Sequence, residues 1–138
     1  SSKAFNLRII DQEPMVIALA RSHPLSSHSE LTLEQLTDVA PILFPREVAP
    51  GLYELVYNSY LRAGIDMQRT YQSSQISSSL SMVEAGFGFA LVPQSMTCIT
   101  LPNVSYHSLI GTPLKTDIAI AWRRYERSRT VKRFLAMF

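Results

Sequence analysis

Leu80–Pro93 reads LSMVEAGFGFALVP, and this stretch decides the fold. Leu80–Ala85 predicts a short helix and Gly86 its stop. Phe87–Val92 predicts a buried strand, and Pro93 ends it. Gly86-Phe-Gly88 has the first two glycines of a dinucleotide cradle but no third, and it opens a strand instead of a helix, so it reads as a turn. Upstream, Arg69–Gln72 reads as a short strand and Ser73–Ser79 as a serine-rich lead into the helix. Leu52–Ala63 carries apolar or aromatic residues at helical spacing, with Gly64 as its C-terminal cap. Arg46–Gly51 is the loop before it, and Pro41–Phe44 a buried strand candidate. Thr32–Gln35 fits a capping box and predicts a short helix to about Val39. Met15–Ala20 is an apolar run of strand length that stops at Arg21–Pro24, and Phe5–Ile10 looks like an earlier strand. Downstream, Val104–Leu109 and Ile118–Trp122 read as strands and Arg127–Phe138 as a last helix. Strands alternate with helices from residue 13 onward, so the expected class is α/β, a mainly parallel sheet flanked by helices.

The 138 residues are 46% hydrophobic and 17% charged, the composition of a globular domain. No apolar run reaches the ~18 residues of a membrane span, and no secretion signal is visible, so no membrane partner is expected. One cysteine, Cys98, excludes an internal disulfide framework; flanked by apolar residues, it is expected to be a small buried hydrophobe. Together these point to a soluble, intracellular chain in a reducing compartment. The net charge of +2 is uneven: residues 115–138 hold seven basic and two acidic side chains. Such an end is read either as a nucleic-acid footprint or as the solvated face of the last helix. The second reading is preferred, because Val131, Phe134, Leu135 and Phe138 recur at helical spacing and nothing nearby resembles a base-reading element.

Catalytic constellations are hard to find. His23, His28 and His107 lack metal-ligand spacing, and no base or acid supports Cys98 as a nucleophile. No metal, cofactor or enzymatic activity is expected. Two turns do suggest anion capture. Pro45–Gly51 feeds one helix and Ser73–Ser79 feeds another. Both follow strands, so both helix starts should lie at the carboxyl edge of the sheet, where α/β folds bind ligands. The first N–H groups of a helix lack intrahelical partners and attract anions. The competing reading is that serines at a helix start are caps.

Several stretches resemble the effector-binding domain of LysR-type transcriptional regulators. They are Glu13–Leu25 (EPMVIALARSHPL), Leu33–Leu36, Pro41–Arg46, Pro50–Glu54, Ser81–Pro93, Val104–Leu109 and Ala121–Arg124. Their order and spacing carry the resemblance across residues 13–138. It implies a two-lobed fold similar to periplasmic solute-binding proteins, with the chain crossing between lobes near Ile10–Pro14 and Leu109–Lys115. Residues 14–113 would form one complete lobe; 1–13 and 114–138 would be parts of the other. The family's DNA-binding helix-turn-helix and the opening units of the first lobe have no counterpart here, so the chain is expected to be a truncated piece of such a regulator. Strand Ile118–Trp122 would then pair with another chain, and a homo-oligomer is expected.

The resemblance also implies a site. By likeness to muconate-sensing regulators, Pro50, Gly51 and Leu52 would line the effector cleft, Ile76 and Ser77 the facing loop, and Ile118 the returning strand. The implied ligand is a small organic acid, aromatic or a breakdown product of one. Leu52 stands where that subgroup has an aromatic, which puts its particular diacid in doubt. Asp11 stands where one member places an arginine of a second site, so no second site is expected. Arg46 and Glu47 are further candidates by nearness. The alternative reading is a solute-binding protein of a transport system, which shares the fold.

Overall fold

The computed structural model describes residues 13–112 and 114–116. Seven strands form the sheet: β1 (Glu13–Ala20), β2 (Glu30–Leu31), β3 (Pro41–Leu43), β4 (Tyr71–Gln72), β5 (Phe89–Pro93), β6 (Val104–Leu109) and β7 (Lys115–Thr116). Among the described residues two α-helices accompany them, α1 (Pro50–Ala63) and α2 (Ile76–Glu84), with short 3-10 turns between. The strand order is β2-β6-β1-β5-β3-β4, and β7 pairs with the start of β1.

β1 runs antiparallel to both β5 and β6, while β2 is parallel to β6 and β3 is parallel to β4 and β5. β7 is antiparallel to β1 as well, so six strands share one direction and β1 runs against them, which makes the sheet mixed around a parallel frame. Burial explains that central place. Met15, Ile17 and Leu19 enter one core cluster, with Leu31, Leu33, Phe89, Leu91, Val56 and Tyr60 of α1. Val16 and Ala18 enter the second, with Ala90, Val92, Val104 and the α2 residues Leu80 and Val83. A strand apolar on both sides must be covered on both, and burial of each large side chain contributes about 1.5–3 kcal/mol. The two helices thus belong to opposite faces of the sheet.

The elements follow local chemistry. Pro50 opens α1, where its missing N–H costs nothing and its fixed φ suits the first turn. Gly64 closes it at φ 87°, and its N–H bonds the Leu61 and Tyr60 carbonyls. Gly88 is required by space. A Cβ there would lie 2.0 Å from the Ala40 carbonyl oxygen, the same atom that accepts the Phe89 N–H at 3.0 Å. The close approach sets β5 against β3.

Several sequence expectations shift in detail. Thr32–Val39 gives a 3-10 turn at Leu33–Leu36, with the Thr32 N–H donating to Gln35 Oε1 at 2.8 Å. The strand expected at 69–72 shortens to β4 behind a 3-10 turn at Met67–Arg69. The helix expected at Leu80 begins four residues earlier, at Ile76, so most of the serine cluster is helical. Cys98 is exposed at the end of a 3-10 turn, because that turn lies on the surface beyond β5. The expected strands at 5–10 and 118–122 and the helix at 127–138 lie outside the described residues.

Candidate functional site

β3 and β4 are parallel neighbours, with Leu43 opposite Gln72 and the Ser73 N–H donating to the Leu43 carbonyl at 3.0 Å. Each strand leaves its carboxyl end into a turn and then a helix. The starts of α1 and α2 therefore both lie at the carboxyl edge of the sheet.

Among the described residues, neither N-cap residue makes a side-chain capping hydrogen bond. Ala49 precedes α1 with φ −158° and has no group able to cap it. Gln75 precedes α2 and makes no capping bond to the backbone. Three serines of the cluster bond within their own segment: Ser73, Ser79 and Ser78, whose Oγ donates to Gln75 Oε1 at 3.4 Å. Ser73 Oγ donates to the Gln75 carbonyl at 3.0 Å, Ser79 Oγ to the Ile76 carbonyl at 2.8 Å, and Ser81 Oγ to the Ser77 carbonyl at 3.1 Å. The first N–H groups of a helix have no partner inside the helix itself.

The expected residues sit as follows. Pro50 and Gly51 are exposed, and a Cβ at Gly51 would meet nothing within 4 Å. Leu52 is half-buried against the core beneath α1. Ile76 is half-buried where the two core clusters meet, and Ser77 is exposed. Three of these residues lie at the start of α1 and two at the start of α2. Arg46 and Glu47 lie in the 3-10 turn at Arg46–Val48, just before α1, and both are exposed. Ile118 lies outside the described residues.

The contacts that Arg46 makes with Glu54 and Tyr53 were not legible in the sequence. Arg46 pairs with the Glu54 carboxylate. Its guanidinium also lies over the Tyr53 ring, 4.7 Å from the centroid. Tyr53 meets Phe44 edge-on at 6.0 Å and stacks on Tyr57 at 5.9 Å. The spacing from 46 to 53 and 54 crosses a loop and a helix start, so no helical or strand period signals it. Behind the site, the Tyr60 hydroxyl is buried with no hydrogen-bond partner among the described residues, and burial pushes its pKa far above the usual tyrosine range. Burial also raises Tyr106, with the thiol of Cys98 adding to the shift.

Among the described residues, no group of three or more His, Cys, Asp or Glu side chains is arranged to hold a metal. Nor is any described helix long and apolar enough to cross a membrane. The arrangement is two helix starts at one edge of a mixed α/β sheet. The match to the LysR substrate binding domain covers residues 1–138, and the chain belongs to that family. It is 74% identical over 138 residues to the HTH-type transcriptional regulator BudR of Raoultella terrigena, covering 100% of this chain and 48% of that protein. It is 30% identical over 134 residues to the HTH-type transcriptional regulator IlvR of Caulobacter vibrioides (strain ATCC 19089 / CIP 103742 / CB 15), covering 97% of this chain and 44% of that one. The chain thus spans about half the length of these relatives. The BenM effector binding domain, solved with its effector benzoate, superposes with a TM-score of 0.63 at 24% identity, over 86% of this chain and 62% of that one. That likeness shows the shared fold.

Proposed function

We propose that the starts of α1 and α2 receive a small organic acid through the N–H groups near Gly51, Leu52, Ile76 and Ser77. Pro50 would wall the pocket. The observation that carries this is the pair of helix starts at one edge of the sheet, both exposed and neither capped by the side chain of its N-cap residue. Each dipole contributes about 0.3–1 kcal/mol toward an anion and each charge-assisted hydrogen bond about 1.5–3 kcal/mol. Micromolar binding needs about 8 kcal/mol net. One lobe alone falls short, so a second lobe closes over the ligand. The pairing of Glu13 with Thr116 and of Pro14 with Lys115 supports a crossing there, with lobes divided as 1–13, 14–113 and 114–138.

In this reading the whole protein is a cytoplasmic, non-enzymatic transcriptional regulator and a homo-oligomer. A helix-turn-helix outside this chain contacts DNA. The ligand acts through its differential affinity for two lobe or assembly geometries. The regulator names of the relatives favour this over the transport reading. Calorimetry on the full-length protein tests the site with matched pairs of ligands. Carboxylates such as benzoate and succinate are expected to bind, and the neutral amides benzamide and succinamide are not. Equal binding of acid and amide would overturn the proposal.

A further inference from the structure

We propose that Glu54 is a built-in competitor for the anion, holding the guanidinium of Arg46 until a ligand carboxylate displaces it. This inference rests on the reading of the two helix starts as the acid site. Arg46 precedes α1 by four residues, yet its guanidinium is drawn back along the helix onto Tyr53 and the Glu54 carboxylate. Tyr53 is anchored edge-on to Phe44, next to the end of β3, so the aromatic platform holds the cation beside the helix start. The side chains of the pair are 59% and 49% exposed, and an ion pair so open to water is weak and readily exchanged. A guanidinium offers two parallel donors to any carboxylate, so a ligand acid and Glu54 compete for the same fork. The consequence is selectivity. An anion too weak to displace Glu54 meets only the backbone N–H groups, whereas a carboxylate that displaces it gains Arg46 as well.

The test is a double-mutant cycle in the full-length protein, with benzoate and succinate as probes and benzamide as the neutral control. Glu54→Gln is expected to tighten carboxylate binding about 2- to 5-fold, the scale of an exposed charge interaction. Arg46→Gln is expected to weaken it about tenfold or more. In the Arg46→Gln background, Glu54→Gln is expected to change nothing, because the contested cation is gone. Unchanged or weaker binding by Glu54→Gln, or the same gain without Arg46, would overturn the inference. If Gly51→Asp still abolished binding in that case, the site itself would stand. Failure of both probes to bind any form would overturn both.

Discussion

Gly51→Asp separates the anion site from the fold. Gly51 is the second residue of α1, exposed, with no positive φ and no atom within 4 Å of an added Cβ. The variant is therefore accommodated without strain. An aspartate in a first helical turn gains about 0.3–1 kcal/mol from the helix dipole, so the melting temperature should hold or rise. Binding should respond in the opposite sense. Two unit charges about 4–8 Å apart near a protein surface repel by about 2–4 kcal/mol, which is a loss of roughly 30- to 1000-fold in affinity. The new carboxylate also competes for the N–H groups the ligand needs. Calorimetry with benzoate or succinate, paired with a thermal melt, measures both effects. A variant that melts like the parent and binds the acid with unchanged affinity would refute the reasoning, because no anion could dock beside that charge unaffected.

Other outcomes follow from packing. Tyr60→Phe removes a buried hydroxyl with no partner among the described residues, so it should raise stability by about 1 kcal/mol, read as a higher midpoint in urea. A loss of more than about 1 kcal/mol would mean that the hydroxyl has a partner. Gly88→Ala should destabilise by about 1–3 kcal/mol or more, since its Cβ would lie 2.0 Å from the Ala40 oxygen; an unchanged melt would contradict the β3–β5 register. His107 is buried, with Nδ1 donating to the His28 carbonyl and Nε2 2.7 Å from Ser105 Oγ. Since a carbonyl only accepts, Nδ1 carries the proton. His107→Leu should cost about 1–3 kcal/mol in chemical denaturation by stripping both partners, and a neutral result would mean those bonds contribute nothing.

The parts of the fold written in sharp local signals were legible. Val104–Leu109 is observed with the expected ends, because its turn and its apolar start both lie in the chain itself. Gly64 and Gly86 stop their helices at φ 87°, as expected of the residue that adopts this backbone cheaply. Tertiary choices were not legible. β2 has two residues and exists because Glu30 and Leu31 find β6, a partner far along the chain. The antiparallel run of β1 between β5 and β6 depends on the path of the chain, on which an apolar run is silent. The serine cluster hid the start of α2, since serine suits caps and turns as well as a helix whose other face is buried by Leu80 and Val83. For the site, the two strand-to-helix turns were readable from their residues. The Arg46–Glu54 pair was not, because it forms only when the 46–48 turn folds back on α1.

The central claim is that an acid docks on the backbone of two helix starts at one edge of the sheet. Amide shift mapping of the full-length protein with benzoate and succinate tests it most directly. The account predicts the largest changes at the N–H groups of Gly51, Leu52, Ile76 and Ser77. Changes centred instead on the hollow bordered by Leu19, Ser22, His23 and Gly86, at the opposite edge of the sheet, would contradict it.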